Sequence, residues 1–289
     1  MLLPPAVADI APDRSSLALG LTVLAGLSTG IGSLIGLSSR RNSSSLLTVS
    51  LGFSAGAMVY VSLVEILPKA RQVLAPLLGA QLGYAAAVLA FFAGIVGMAL
   101  IDRWLPVHDA SGALHQLSGD QNSAADPSGL STSMDPARRK RLLRMGLFSA
   151  LAIAIHNFPE GLATFLGALA NPHLGVSIAV AIGIHNIPEG LAVSAPVYFA
   201  TGSRRIAFWV SFLSGLAEPL GGLLGYALFR SLPNPIGFGM VFAAVAGVMV
   251  YVSLDELLPA ARDYGEQHLA IISLMAGMAV MAISLVLLA

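Results

Sequence analysis

Long apolar stretches alternate with polar linkers along this 289-residue chain, and each stretch is long enough to cross a bilayer. A transmembrane helix needs about 20 predominantly apolar residues. The pattern predicts eight such helices, at 17–37, 46–67, 81–105, 143–169, 174–199, 206–229, 236–258 and 268–289. We therefore expect an all-α integral membrane protein with a single polytopic domain over residues 1–289.

One linker differs from the short, turn-like others. Residues 106–141, between the third and fourth spans, are rich in Ser, Gly, Asp, Asn and Pro and end on the basic run RRKR. That composition is too polar to bury, which predicts a disordered loop.

A long internal repeat relates the second span to the seventh. Residues 54–71 (SAGAMVYVSLVEILPKAR) match residues 245–262 (VAGVMVYVSLDELLPAAR) at a constant offset of 191, with thirteen of eighteen positions identical. The copies lie in spans two and seven, an odd step of five spans along the chain, so they run in opposite directions. Inverted repeats are typical of secondary transporters. We expect spans one to three and six to eight to be inverted repeats around spans four and five.

Composition and charge set the surroundings. Hydrophobic residues make up 56% of the chain and charged residues 10%, with a mean hydropathy of +0.81, against roughly 25% charged in a soluble domain. The net charge of zero gives no sign of a nucleic-acid partner. Because cysteine is absent, disulfides and thiolate ligands are excluded.

The basic residues predict the orientation. If both termini lie outside, eleven of the fifteen basic residues face inward. These eleven are Arg40, Arg41, Arg103, Arg138, Arg139, Lys140, Arg141, Arg144, Arg204, Arg205 and Arg262. The positive-inside rule therefore favours both termini outside and the 106–141 loop in the cytoplasm.

A six-residue phrase occurs twice at predicted membrane depth. HNFPEG (156–161) and HNIPEG (185–190) lie 29 residues apart, in spans four and five. His156 and Glu160 are four residues apart on one helix face, as are His185 and Glu189, so each pair can direct a nitrogen and an oxygen at one ion.

Other residues of the hexamer also suit metal binding. Asn157 and Asn186 offer amide oxygens to a neighbouring ion, and the glutamates can bridge the two positions. Pro159 and Pro188 each remove a backbone donor and predict a kink beside the ligands.

Three acids lie at depth without a cation beside them. Glu160, Glu189 and Glu218 fall in spans four, five and six. Left ionised and unmatched, they would cost on the order of 8–10 kcal/mol by insertion scales. Protons, a metal ion or both must compensate, and the duplicated histidines favour a metal.

The two hexamers, the SGLAEPLGG segment around Glu218 and the SAGAMVYVSLVEILP segment resemble the ZIP (Zrt/Irt-like) family of metal transporters, in its bacterial ZupT-type branch. The resemblance covers essentially all eight spans. It implies import of Zn²⁺ and related divalent ions across the bacterial cytoplasmic (inner) membrane through a binuclear site. One implied position is formed by His156, Glu160, His185 and Glu189. The other is formed by Asn157, Glu160, Asn186, Glu189 and Glu218.

The resemblance also bears on one further candidate ligand and on the long loop. In some relatives a methionine of span two joins the first position, which makes Met58 a candidate, although packing is the commoner role of methionine. The family's long loop is often rich in histidine, whereas this loop has only His108 and His115. We expect no metal capture by that loop.

Other polar residues keep two interpretations. Glu65, Asp255 and Glu256 either line the ion path or are ordinary interfacial acids. His173 and His268 sit at predicted span edges, where solvation is the expected state.

The driving force follows from what the sequence lacks. No GxxxxGK[ST] phosphate loop occurs, so we expect no ATP hydrolysis and no bound cofactor. An inside-negative potential of 100 mV supplies roughly 4.6 kcal/mol for a divalent cation.

Nitrogen and oxygen ligands without thiolate suit Zn²⁺ first, then Fe²⁺, Mn²⁺, Co²⁺ and Cd²⁺.

Two alternatives and one partner stay open at this point. A metal exporter could use the same site in the other direction. An intramembrane metallohydrolase is a weaker alternative, because HNxPEG is not the HExxH motif of zinc hydrolases. Gly26-xxx-Gly30 and Gly32-xxx-Gly36 permit close packing within one protomer or in a homodimer.

Overall fold

The computed structural model describes residues 12–38, 44–104, 136–231, 235–264 and 267–288, and within these ranges every regular element is a helix. The helices form eight consecutive spans. In chain order these are Pro12–Ser38; Ser44–Val61 continued by Ser62–Ile66 and Leu67–Leu78; Ala80–Trp104; Pro136–Ala170; Pro172–Thr201; Arg204–Gly215 followed by Ala217–Ser231; Pro235–Val252 continued by Ser253–Leu257 and Leu258–Tyr264; and Gln267–Leu288.

Seven of these spans are long and apolar enough to cross a membrane. The other, the fourth, carries the first hexamer and a basic N-terminal stretch, which together lower its hydropathy. The third and eighth spans are the least covered by protein, with 28% and 22% of their apolar windows buried, against 61% for the fifth. The fifth span is therefore central, and the third and eighth are peripheral.

The predicted helices are confirmed, with differences at their ends and, in the second, sixth and seventh spans, within them. The second span continues to Leu78 instead of ending at 67, and the fourth begins at Pro136 instead of 143. The prediction followed apolar residues only, whereas a helix can continue through amphipathic or basic sequence beyond the hydrocarbon. Residues 136–141 were therefore wrongly assigned to a disordered loop. The rest of that loop, with His108 and His115, lies outside the described residues.

Each long repeat contains a π-helical turn, at Ser62–Ile66 in the second span and at Ser253–Leu257 in the seventh. Pro68 and Pro259 follow these turns and have no N–H to donate to the preceding turn. The N–H of Leu67 accordingly bonds to Ser62 O, five residues back. π-helical turns often occur at functional sites, and these two contain Glu65, Asp255 and Glu256.

The sixth span is interrupted at Leu216, two residues before Glu218. Pro219 cannot donate an N–H to the carbonyl of Gly215, which ends the regular ladder there. A Cβ atom on Gly215 would contact the Gly26 carbonyl of the first span. The two glycines thus let the first span pack against the interruption.

Glycines also bring the hexamer helices close to their neighbours. A Cβ atom on Gly161 would overlap the backbone of Glu218, so the fourth span touches the sixth beside that acid. A Cβ atom on Gly190 would overlap Thr29, and one on Gly32 would overlap Ile187, which joins the fifth span to the first in the same way. This close packing encloses the hexamers.

Candidate metal site

The seven side chains predicted to bind metal are all inaccessible to solvent and lie on three adjacent spans. Their positions follow from the hexamers and from the interruption of the sixth span. They are His156, Asn157 and Glu160 on the fourth span, His185, Asn186 and Glu189 on the fifth, and Glu218 on the sixth.

Histidines and glutamates of the two hexamers face each other across the helix interface. His156 Nε2 lies 3.3 Å from Glu189 Oε2, and His185 Nε2 lies 3.3 Å from Glu160 Oε1. The sequence had suggested that each histidine converges with the glutamate of its own helix. The closest contacts are instead between helices, because both sets of side chains point into the space between the spans.

The two asparagines are anchored in matching ways. Asn157 Nδ2 donates to the Ser214 carbonyl at 3.4 Å, and Asn186 Nδ2 donates to the Ala25 carbonyl at 3.1 Å. Asn186 Nδ2 also donates to Glu218 Oε1. A carbonyl oxygen can only accept, so each amide must present its nitrogen there. The Oδ1 atoms of both residues are left without a hydrogen-bond partner.

Several other buried acceptors and ring nitrogens of this cluster make no hydrogen bond. They are His156 Nδ1, both oxygens of Glu160, both ring nitrogens of His185, and Glu218 Oε2. Buried polar groups almost always find partners, and leaving one unmatched costs roughly 1–3 kcal/mol. One nitrogen of each neutral imidazole carries a proton, but the other nitrogen and the carboxylate oxygens supply electron pairs in one enclosed space, which suits a cation.

The donors are close together but are not arranged as a finished metal cage. Within the described ranges, no three His, Asp or Glu side chains already form such a group. The His156–Glu189 and His185–Glu160 contacts use atoms that a metal would need.

Met58 lies beside the cluster, in the second span. It is fully buried, and its Sδ is 4.0 Å from Ser54 Oγ, which in turn lies 3.2 Å from Glu189 Oε1. The sequence missed Ser54. The feature that could have indicated Ser54 is a difference between the two copies of the long repeat, since the other copy has Val245 at this position.

The remaining acids are in different surroundings. Glu65 lies 4.0 Å from Lys69 Nζ in a partly exposed pair. Tyr251 directs its hydroxyl at Asp255 Oδ2 (3.0 Å) and at Asp102 Oδ2 (3.3 Å), while Glu256 Oε1 is buried without a hydrogen-bond partner. Asp102 was not singled out from the sequence, because a single acid at a span end is common.

His173 and His268 are exposed in the first turns of the fifth and eighth spans. Their predicted places at span edges are confirmed. Neither lies in the cluster.

Comparison with known proteins decides the family. The family model described as "ZIP Zinc transporter" matches residues 107–285. The chain belongs to the ZIP family. It is 58% identical over 275 residues to the zinc transporter ZupT of Chlorobium chlorochromatii, covering 95% of this chain and 98% of that protein. It is 57% identical to the ZupT of Chlorobaculum parvum over 95% and 98% of the two chains, and 50% identical to that of Clostridium perfringens over 92% and 94%.

Membership of the ZIP family confirms the resemblance inferred from the hexamers. ZIP proteins are transporters, so the chain is not an enzyme, and a divalent metal is its substrate rather than its cofactor. The intramembrane hydrolase is thereby excluded. The chain is a multi-pass membrane protein.

Proposed function

We propose that this ZIP protein imports Zn²⁺ into the bacterial cytoplasm through the buried cluster between the fourth, fifth and sixth spans. The observation that carries the proposal is the enclosed set of unmatched donors contributed by both hexamers and Glu218. The donors are nitrogen and oxygen only, which suits Zn²⁺ and, less selectively, Fe²⁺, Mn²⁺, Co²⁺ and Cd²⁺. The names of the ZupT relatives agree with zinc.

The cluster takes two ions in this proposal. The imidazoles of His156 and His185 serve one position together with Glu160 and Glu189. The free Oδ1 atoms of Asn157 and Asn186 serve the other with Glu218, and the two hexamer glutamates bridge both. Support comes from the way both amide nitrogens are used by backbone carbonyls, because this leaves both oxygens for a cation.

Inverted repeats frame the cluster in the proposed architecture. The π-helical turns at Ser62–Ile66 and Ser253–Leu257 keep the offset of 191. The glycine contacts also pair up: the first span meets the fifth at Gly32 and Ile187, and the sixth meets the fourth at Gly221 and Phe158. Ile187 and Phe158 both occupy the third position of their hexamers.

The outer spans follow the same pattern. Gly56 of the second span would overlap Leu274 of the eighth if it had a Cβ atom, and Gly94 of the third would likewise overlap Ala244 of the seventh. An arrangement related by a pseudo-two-fold axis in the membrane plane suits alternating access of one central site to both sides. We propose that spans four and five shift against the frame that contains spans two and seven.

Orientation and driving force complete the proposal. In this orientation both termini lie outside, the linker between the third and fourth spans lies in the cytoplasm, and the membrane potential draws the ion inward. With an inside-negative potential of 100 mV, roughly 4.6 kcal/mol per divalent ion supports about a thousandfold accumulation. An exporter of the same architecture would work against this gradient.

The test is uptake of ⁶⁵Zn by proteoliposomes with an imposed inside-negative potential. The double variant His185→Ala plus Glu189→Ala should lose uptake, whereas the exposed His268→Ala should keep it. Retained uptake by the double variant would rule out these ligands. Zinc moving only outward from loaded vesicles would favour the exporter.

A further inference from the structure

Ser54 brings a hydroxyl from the second span into the cluster of the fourth and fifth spans. The residue is fully buried, and its Oγ lies 3.2 Å from Glu189 Oε1 and 3.3 Å from the His185 carbonyl oxygen. Both acceptors belong to the second hexamer. The second span therefore contacts the candidate ligands through a proton donor.

This contact makes the two hexamer glutamates unlike each other. Glu189 has both carboxylate oxygens engaged, Oε1 by Ser54 and Oε2 by His156 Nε2 at 3.3 Å. Glu160 has no hydrogen-bond partner at either oxygen, and its Oε1 only approaches His185 Nε2. The equivalent glutamates of the two hexamers therefore differ in their hydrogen bonding.

The long repeat explains the difference in chemical terms. Ser54 matches Val245 at the offset of 191, within segments that are otherwise mostly identical. A valine side chain has no proton to donate, so this position of the seventh span supplies no donor equivalent to the Ser54 hydroxyl. The Ser54 hydroxyl therefore has no counterpart at the equivalent position of the other repeat copy.

We propose that Ser54 is a positioning residue that fixes Glu189 as the anchoring carboxylate of the metal site and leaves Glu160 as the mobile one. The proposal rests on the proposed metal site. A hydroxyl bond to one carboxylate oxygen orients the other toward the ion. Glu160, which lacks this bond, is free to turn between the two ion positions as an ion leaves.

The second acceptor of Ser54 fits the same role. A serine hydroxyl carries one proton, which can go to Glu189 or to the His185 carbonyl. The proton stays directed at Glu189 while an ion is bound and can turn to the carbonyl in the ion-free site, so the buried hydroxyl keeps a partner. The cost of roughly 1–3 kcal/mol for an unmatched buried group is avoided in both arrangements.

The test uses variants that separate the hydroxyl from side-chain volume. Ser54→Thr keeps the hydroxyl, and Ser54→Val replaces it by a methyl group in a side chain of nearly the same shape. Outer partners of metal ligands are worth about 10–100-fold in metal affinity. We therefore expect Ser54→Val to raise the KM for ⁶⁵Zn uptake about tenfold or more at a nearly unchanged maximal rate, and Ser54→Thr to stay close to the parent.

Two further variants act as controls. Ser54→Ala, the smallest change, should raise the KM like Ser54→Val, and Val245→Ala should leave it within about twofold, since that side chain donates nothing. An unchanged KM in both hydroxyl-free variants would overturn the proposal. So would a loss of maximal rate at constant KM, or an equal rise in KM for Val245→Ala, because these would show effects on helix movement or packing.

Equilibrium zinc binding by the purified variants distinguishes this proposal from the wider one. If the parent protein binds zinc but does not transport it, the proposed import fails, and the binding ratio of Ser54→Thr to Ser54→Val still tests the role of the hydroxyl. Equal affinities for those two variants would contradict the role of Ser54 whether or not the chain transports.

Discussion

His156 Nε2 lies 3.3 Å from Glu189 Oε2, so the histidine of the first hexamer is paired with the glutamate of the second. The reciprocal pair, His185 with Glu160, has the same separation. Neither spacing within one helix nor either hexamer alone produces these contacts. The geometry of the cluster depends on how the fourth and fifth spans lie against each other, which suits a site whose affinity must change during transport.

The asparagine anchoring predicts the effect of removing one amide. Asn186→Leu keeps similar volume but removes the Oδ1 atom assigned to the second ion position. We expect bound zinc, measured by elemental analysis of the purified protein at saturating metal, to fall from about two ions to about one per chain. The exposed Gln72→Leu should leave the count unchanged. Two ions bound to the Asn186 variant would show that the amide is not a ligand.

Close packing at Gly161 predicts a strong effect of one methyl group. A Cβ atom there would overlap the backbone of Glu218, whereas a Cβ atom on Gly97 would meet no atom within 4 Å. Overpacking typically costs about 1–3 kcal/mol or more, and Ala gains up to about 1 kcal/mol over Gly in an open helix position. Gly161→Ala should therefore lower the midpoint of thermal unfolding in detergent, and Gly97→Ala should maintain or raise it. Equal midpoints would mean that the fourth and sixth spans are further apart.

The shared hydroxyl of Tyr251 predicts a difference between two tyrosines at equivalent repeat positions. Tyr251→Phe removes the proton directed at Asp102 and Asp255. We expect a loss of about 1–2 kcal/mol in unfolding free energy, measured by denaturant titration in micelles. Tyr60, which makes no hydrogen bond within the described part of the chain, serves as the control. A Tyr60→Phe change that costs as much would place the effect in the ring environment.

The absence of cysteine gives a direct test of orientation. Single substitutions Gln81→Cys and Arg205→Cys place thiols at exposed ends of the third and sixth spans. With both termini outside, a membrane-impermeant maleimide should label position 81 in spheroplasts from which the outer membrane has been removed, and position 205 only after the inner membrane is permeabilised. The reversed pattern would invert the topology and remove the support that the positive-inside rule gives to the assigned direction.

Residue pattern alone predicted the helices because hydrocarbon imposes one requirement, about 20 apolar residues for each crossing. It could not place their ends, since Lys69 and Arg71 continue the second helix beyond the apolar stretch. It also missed the π-helical turns, although Pro68 and Pro259 mark them. A proline inside a helix can kink it, end it or widen one turn, and the neighbours decide among these outcomes.

The candidate ligands were predictable for a different reason. A histidine and a carboxylate four residues apart, duplicated at membrane depth, have few uses other than binding a cation. Their partners across the interface were not predictable, because the pairing of His156 with Glu189 depends on how two helices pack. Ser54 was hidden for the same reason, since its neighbours in space, His185 and Glu189, are more than 130 residues away in sequence.

The most direct test of the central claim is a zinc-edge anomalous difference map from crystals soaked in zinc. The account predicts two peaks enclosed by the fourth, fifth and sixth spans. One should lie about 2.0–2.2 Å from His156 and His185 nitrogens and from glutamate oxygens, and the other should lie beside the Oδ1 atoms of Asn157 and Asn186. A map whose peaks lie only at surface positions such as His173 and His268, with none between these spans, would contradict it.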